Sequence, residues 1–179
     1  APWDALLRDS PFQAPFHSWA WHEAWWNAFN AGSELFLIAA EDADGHLQVL
    51  APFVKGKAYV RGLRVSEIRF LAHSITPYNT ILHRSGCSGA EALATVLACL
   101  NGHRCEWDMV NLWNVPAAAS VLPCLDEVGE PCGLHAIRHS GIRSAYIAIE
   151  GDFEKYMTDD ARKSRRRGIV QKVRQLSQR

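Results

Sequence analysis

The distribution of charge along this chain most restricts how it can fold. All 19 acidic residues lie within residues 1–160, which also hold 11 basic residues and so carry a net charge of −8. Residues 161–179 hold the other 8 basic residues and no acid, a net charge of +8. Because like charges repel, so basic a segment is not expected inside a core. We predict a folded domain over residues 1–150 and a basic helical segment over residues 151–179 that leads into a second domain.

The composition is that of a globular protein, with 48% hydrophobic and 21% charged residues. No apolar run approaches the roughly 20 residues that span a bilayer, and the N-terminus lacks the pattern of a signal peptide. These features predict a cytoplasmic protein without a membrane span. The five cysteines are odd in number and form no Cys-x-x-Cys pair, so we expect free, buried thiols and no metal site.

Hydrophobic periodicity predicts the first elements of the domain. Ser18 is placed to cap a helix whose tryptophans recur at helical spacing up to Gly32. The apolar runs 35–40 and 47–54 flank a turn sequence at 42–45 and predict a hairpin.

The helices and strands in the rest of the domain are predicted from less regular apolar patterns. Proline residues suggest an extended lead-in before residue 18. Two further helices are expected, one that starts at Ser88 or Gly89 and runs to Leu100, and one over residues 117–128. The remaining segments predicted as strands are 58–63, 67–71, 78–82, 108–113, 134–138 and 144–149. This order predicts an α/β (α+β) fold with a mixed, mostly antiparallel sheet flanked by helices.

Several short motifs occur in an order that resembles a known family. The first is Pro15-Phe16-His17-Ser18-Trp19, followed by a second that contains Trp25-Trp26 and Phe29. Later motifs are Ala51-Pro52-Phe53, Ile68-Arg69-Phe70-Leu71-Ala72, Trp107-Asp108, and the stretch from Asp152 to Arg166. Their succession over nearly the whole chain resembles the N-terminal half of CelD/BcsL-like acetyltransferases, which have a GNAT-like fold.

The resemblance implies a GNAT-superfamily N-acyltransferase that moves an acyl group from acetyl-CoA or another acyl-CoA to an amine or sugar acceptor. It also implies a link to polysaccharide or cell-envelope metabolism, such as cellulose biosynthesis. The family resembles two tandem GNAT-like folds, with acyl-CoA chemistry in the C-terminal one. This chain is therefore expected to contribute a cleft for a small-molecule acyl acceptor, and to pair with its own C-terminal domain, which would bind most of the cofactor.

One segment imitates the cofactor motif of the superfamily, in which Gln/Arg-x-x-Gly-x-Gly/Ala presents backbone amides to the CoA pyrophosphate. Arg165, Arg166 and Arg167 precede Gly168, but Val170 replaces the second small residue. The three arginines are thus candidate phosphate contacts within an incomplete motif. The glycine-rich sequence 85–89 could also face an anion, but we interpret it as an N-capping loop.

Four residues are candidates for the substrate cleft: His22, Trp25, Tyr78 and Asn79. A neutral imidazole at position 22 could act as a base or hold a carboxylate, and aromatic faces stack on sugars and acyl groups. The alternative for His22 and Trp25 is packing at the edge of the core. Neither Ser140 nor any cysteine lies in a nucleophile motif, and nothing in the sequence points to a catalytic triad.

A non-enzymatic binding module is the rival interpretation, with residues 161–179 engaging a phosphate ligand or nucleic acid. Nucleic acid is not favoured, because no aromatic residue interleaves with the basic ones and the rest of the chain is acidic. An apolar stripe runs along the same segment, so its basic face could also simply lie in solvent.

Overall fold

A computed structural model describes residues 1–30, 32–72, 75–139 and 141 of the chain. One compact unit spans Ala1–His139. The described part contains four α-helices, α1 (Pro2–Asp9), α2 (Trp19–Phe29), α3 (Gly89–Gly102) and α4 (Leu125–Gly129). It contains five strands, β1 (Glu34–Glu41), β2 (Leu47–Val60), β3 (Leu63–Phe70), β4 (Leu82–His83) and β5 (Met109–Asn111). Short 3-10 helices cover Pro15–His17, Arg104–Glu106 and Glu130–Cys132.

The strands form one mixed sheet with the order β1-β2-β3-β5, and β4 also pairs with β2. Strand β2 is antiparallel to β1, β3 and β4, whereas β5 runs parallel to β3. A parallel pair requires a crossover connection, and α3 lies in the connection between β3 and β5. The predicted class, a mostly antiparallel mixed sheet with helices, is confirmed.

The long strand β2 is the centre of the fold because both of its faces are buried. Val49, Ala51 and Phe53 belong to the cluster that α3 covers, to which α3 adds Leu93, Val96, Leu97 and Leu100. Leu50 and Val54 point to the opposite face, where they meet α1 and α2. A strand buried on two faces is apolar at successive positions rather than at alternate ones, which explains the continuous run 47–54.

The helix α2 and the first hairpin agree with the sequence predictions. The Ser18 hydroxyl accepts a hydrogen bond from the amide of Trp21 at 3.3 Å, and so caps α2. Strands β1 and β2 pair as an antiparallel hairpin, with Gly45 in the turn at φ +78°. Ser88 and Glu91 form a capping box at the start of α3, so the prediction of an N-capping loop is confirmed.

Several predicted boundaries are wrong. Residues 58–63 are not one strand, because a turn at Arg61–Gly62 separates β2 from β3, and both residues have positive φ. The lead-in is helical over α1, since proline is well tolerated at a first helical position. The helix predicted over 117–128 is reduced to α4.

Further differences concern irregular segments and thiols. Within 78–82 only Leu82 is in a strand, and residues 134–138 form none. The predicted strand 144–149 lies outside the described residues. All five cysteines are free, but none is fully buried and Cys105 is exposed, so the prediction of buried thiols is wrong. In the part of the chain that the structure describes, no helix has the length and apolarity to cross a membrane.

Candidate functional site

Two of the predicted cleft residues lie in one cluster of aromatic and histidine side chains between α2 and the segment before β4. His22, on α2, is 2% exposed; its Nδ1 lies 3.0 Å from the carbonyl oxygen of Ser18, and its ring centroid lies 4.9 Å from that of Trp3. His17 Nε2 lies 3.2 Å from the carbonyl oxygen of Tyr78. His17 therefore links Tyr78 to the helix that carries His22. We call His17, His22 and Tyr78 the histidine cluster.

Aromatic rings surround the histidine cluster. Phe16 packs edge-on against Trp21, with ring centroids 5.0 Å apart, and Phe12 packs edge-on against Tyr78 at 6.2 Å. Trp21 Nε1 donates a hydrogen bond to Thr76 Oγ1 at 2.9 Å. This aromatic shell excludes water from the imidazoles.

Burial determines the charge of both histidines. The pKa of His22 is lowered from 6.5 to about 4, mainly by desolvation; the hydrogen bond with the Ser18 backbone opposes this shift and nearby His17 adds to it. Desolvation also lowers the pKa of His17, against the contrary effect of backbone groups of Tyr78 and Phe12. Both imidazole rings are therefore uncharged near pH 7.

The buried state of His22 predicts a specific pH dependence of stability. Between pH 6.5 and about 4 the unfolded chain protonates His22 while the folded chain does not, so stability falls as the pH is lowered. From pH 7 to pH 5 we expect this residue to account for a loss of about 2 kcal/mol.

Urea denaturation at pH 7 and pH 5 measures that loss. His22→Gln should show a smaller drop than the wild-type chain, whereas His135→Gln, at an exposed histidine, should match the wild type. Equal drops in all three proteins would contradict the assignment of a depressed pKa to His22.

The other two cleft candidates, Trp25 and Asn79, are buried within the domain. Trp25 is buried against Val54, Leu71 and Ala72. Asn79 is buried as well. Its backbone amide donates a hydrogen bond to the carbonyl oxygen of Asn114 at 3.0 Å, and its side-chain Nδ2 donates one to the carbonyl oxygen of Trp113 at 3.2 Å. For Trp25 the packing alternative describes its position, and Asn79 joins two loops.

An open depression of about 440 Å³ lies at the far end of β2, lined by residues 32–34, 55–57 and Glu106. Lys55 Nζ lies 2.7 Å from Glu106 Oε2 and 3.1 Å from Glu34 Oε2. The hydrogen bonds that Lys55 donates to Glu106 and then to Glu34 raise the pKa of Lys55. The bond from Lys55 is also the main cause that lowers the pKa of Glu106, to about 2. Lys55 is therefore a charged ammonium rather than a nucleophile.

A buried ionic network borders the same depression. Arg69 donates to Glu67 Oε2 at 3.1 Å and to Ser33 Oγ at 3.0 Å, and Asn111 Nδ2 donates to Glu67 Oε1 at 2.8 Å. The guanidinium lies against Gly56, where an added β carbon would come within 2.6 Å of Arg69 Nη1. No sequence motif predicts this network. Its members come from the segment just before β1 and from β2, β3 and β5, and only the folded chain brings them together.

The β1–β2 turn holds the one cluster of possible metal ligands in the described part of the chain. The ligand atoms of Asp42, Asp44 and His46 lie within 4.8 Å of one another, and all three residues are exposed. Asp42 Oδ1 already accepts the amides of Asp44 at 3.0 Å and His46 at 2.9 Å. The carboxylate thus stabilises the turn itself.

The cofactor candidates Arg165, Arg166 and Arg167 lie outside the described residues, as does the whole segment 151–179 on which the rival interpretation rests. The glycine-rich loop 85–89, which could also face an anion, lies within the described residues just before α3. Its capping box uses the amides of Ser88 and Glu91 within the chain.

A contact that the sequence did not predict joins His83 and Ser120. Ser120 Oγ lies 2.6 Å from His83 Nε2, although the two residues are 37 positions apart. Neither residue lies in a recognisable motif, so the sequence gives no indication that the two side chains meet.

Comparison with protein-family models, with curated proteins and with solved structures found no significant match to this chain. The resemblance to CelD/BcsL-like acetyltransferases therefore stays a prediction.

Proposed function

We propose that this chain is the N-terminal half of a GNAT-superfamily N-acyltransferase, which transfers an acyl group from an acyl-CoA to an amine or sugar acceptor. In this proposal the chain provides the acceptor cleft and a docking surface, and a C-terminal domain provides most of the catalysis. The observation that carries it is the sheet: β1, β2 and β3 are antiparallel, and the connection through α3 leads to β5, parallel to β3. This mixed architecture is the one that the resemblance implies.

The histidine cluster supports a role in binding the acceptor. Aromatic faces stack on sugar rings. The imidazoles are buried and each already lies against a backbone carbonyl oxygen, so they support the aromatic residues rather than contact the acceptor. Trp19 and Ile75, next to the cluster in sequence, are more than one-third exposed and extend its apolar border to the surface. In our proposal a small polar acceptor stacks on this exposed apolar border, without a charged group.

The edge strand β1 supports a docking role. Phe36 and Ile38 face the core, while Leu35 and Leu37, on the opposite face, are 44% and 43% exposed. An edge strand with apolar side chains on both faces is prone to pair with other chains unless a neighbour covers it. In our proposal the C-terminal domain is that neighbour.

The cofactor is assigned mainly to the C-terminal domain. The capping box at α3 already occupies amides that a pyrophosphate would need, and the motif at Arg165–Arg167 is incomplete. The free state of all five cysteines supports a cytoplasmic location, where acyl-CoA is also found.

The proposal is tested by acetyl-CoA-dependent release of the CoA thiol in the presence of a panel of amines and amino sugars. Two proteins are compared, the chain 1–179 and the product of the complete reading frame that encodes it. A third, the complete product with Arg165→Ala and Arg166→Ala, measures whether the incomplete motif contributes to cofactor binding. In the complete product we expect these substitutions to raise KM for acetyl-CoA by less than about tenfold, because the motif lacks its second small residue and most of the cofactor is assigned to the C-terminal domain.

A further inference from the structure

The pair His83–Ser120 has the arrangement of a nucleophile and its base. The 2.6 Å distance between Ser120 Oγ and His83 Nε2 is that of a strong hydrogen bond. His83 is 3% exposed, whereas Ser120 is only partly buried. The base is thus shielded from water, whereas the serine residue keeps some contact with the solvent from which a reagent would approach.

The second nitrogen of His83 fixes the direction of proton transfer. His83 Nδ1 lies 3.0 Å from the carbonyl oxygen of Arg84. A carbonyl oxygen only accepts hydrogen bonds, so Nδ1 carries the proton of the neutral imidazole and Nε2 presents its lone pair. The Ser120 hydroxyl must therefore donate to Nε2, as the hydroxyl of an activated serine donates to its general base.

Both residues are held from several sides. His83 belongs to β4, paired with Val49 of β2, and its carbonyl oxygen accepts the Ser10 hydroxyl at 2.8 Å. The residues on either side of Ser120, Ala119 and Val121, are buried in the core. Rigid support of this kind keeps a nucleophile and its base aligned before substrate arrives.

The first turn of α3 lies directly against Ser120. A β carbon added at Gly89, the first residue of α3, would collide with the carbonyl group of Ser120. The start of a 14-residue helix carries partial positive charge, and the capping box leaves the amides of its first two residues outside its own hydrogen bonds. Negative charge that develops on a group attached to Ser120 would be stabilised there.

We propose that Ser120 is a nucleophile, activated by His83, that is acylated by activated carboxylic esters. This activity is distinct from CoA-dependent transfer and does not depend on the proposed function above. Ser120 Oγ forms a bond to the carbonyl carbon while His83 Nε2 takes the hydroxyl proton. The ester C–O bond then breaks, and His83 returns the proton to the departing alcohol. Water, deprotonated by His83, releases the acid and restores Ser120.

A fluorophosphonate probe tests the nucleophile directly, because Ser120 Oγ would displace fluoride at phosphorus and leave a stable adduct. We expect one adduct per chain by intact mass, located on Ser120 by peptide mapping and absent in Ser120→Ala. His83→Gln should slow labelling by about 100-fold or more, the typical contribution of a general base. Ser85→Ala is the matched control, since Ser85 Oγ donates a hydrogen bond to Asp9 Oδ1 at 3.0 Å and, among the described residues, contacts no histidine.

A comparison within the wild-type chain keeps the test independent of how the variants fold. The initial labelling rate of the Ser120 peptide is measured against that of the peptide that carries Ser85, in one folded sample. A Ser120 rate at least about tenfold higher supports the proposal. Equal rates, labelling confined to other residues, or a Ser120 rate unchanged in folded His83→Gln would overturn it.

Discussion

Replacing Glu67 with alanine should lower the free energy of unfolding by about 3 kcal/mol or more, because it leaves a buried guanidinium without its counter-ion. The Glu67 and Arg69 side chains are 10% and 15% exposed, so water replaces the lost carboxylate poorly. Arg69 Nε is already buried without a hydrogen bond, and Asn111 would lose its acceptor too. Urea denaturation at pH 7 measures the change.

Two controls separate this effect from a general loss of charge. Glu34→Ala removes the carboxylate that pairs with Lys55, and this side chain is 69% exposed. It should lower the free energy of unfolding by less than about 1 kcal/mol. In the double variant Glu67→Ala with Arg69→Met, no buried charge is left unpaired, and part of the stability should return. A Glu67→Ala loss no larger than that of Glu34→Ala would contradict the description of the network.

Replacing Gly89 with alanine should destabilise the domain by about 1–3 kcal/mol, although alanine is the better helix former. The added β carbon would overlap the backbone of Ser120, so the loop that carries Ser120 would have to move away from α3. The same displacement would separate Ser120 from His83 and reduce labelling of Ser120 by the fluorophosphonate probe.

Gly102→Ala is the matched control, because Gly102 ends the same helix and an added β carbon there meets nothing within 4 Å. That variant should be as stable as the wild-type chain or slightly more stable. Thermal melts of both variants and of the wild-type chain measure the difference in stability. A Gly89→Ala protein more stable than the wild type would contradict the close contact between α3 and Ser120.

Local signals in the sequence were sufficient for some elements and not for others. The cap at Ser18 and the aromatic period identified α2, and the apolar spacing after the N-capping loop 85–89 identified α3. The run 47–54 was recognised as a strand, but β2 continues to Val60 through the polar residues Lys55 and Lys57, which an isolated pattern does not mark as strand. Pairing with β3, which extends β2, is a tertiary effect.

Errors arose where a residue type was interpreted in only one of its roles. Pro2 was taken as a sign of extended chain, although proline favours the first turn of α1. Pro123 lies inside the helix predicted over 117–128, where it lacks the amide that a helix interior uses, and α4 begins only after it. Arg61-Gly62 is a hairpin turn that the apolar run around it concealed.

The candidate sites were less accessible to sequence reasoning than the fold. His22 and Tyr78 were selected for their chemistry, whereas His17, which appeared only within a family motif, is the residue that contacts the Tyr78 carbonyl oxygen. The contacts of Ser120 with His83 and of Arg69 with Ser33 join residues more than 30 positions apart. Such pairs depend on sheet register and loop packing, which no spacing rule encodes.

Thiol release from acetyl-CoA, followed with the panel of amines and amino sugars, tests the proposed acyltransferase most directly. We predict acceptor-dependent release of CoA by the product of the complete reading frame, with a matching acylated acceptor by mass spectrometry, and no acceptor-dependent release by the chain 1–179. Acylation of an acceptor by the chain alone would contradict its role as the non-catalytic half. A reading frame that ends at Arg179, or a complete product that acylates no acceptor, would contradict the account as a whole.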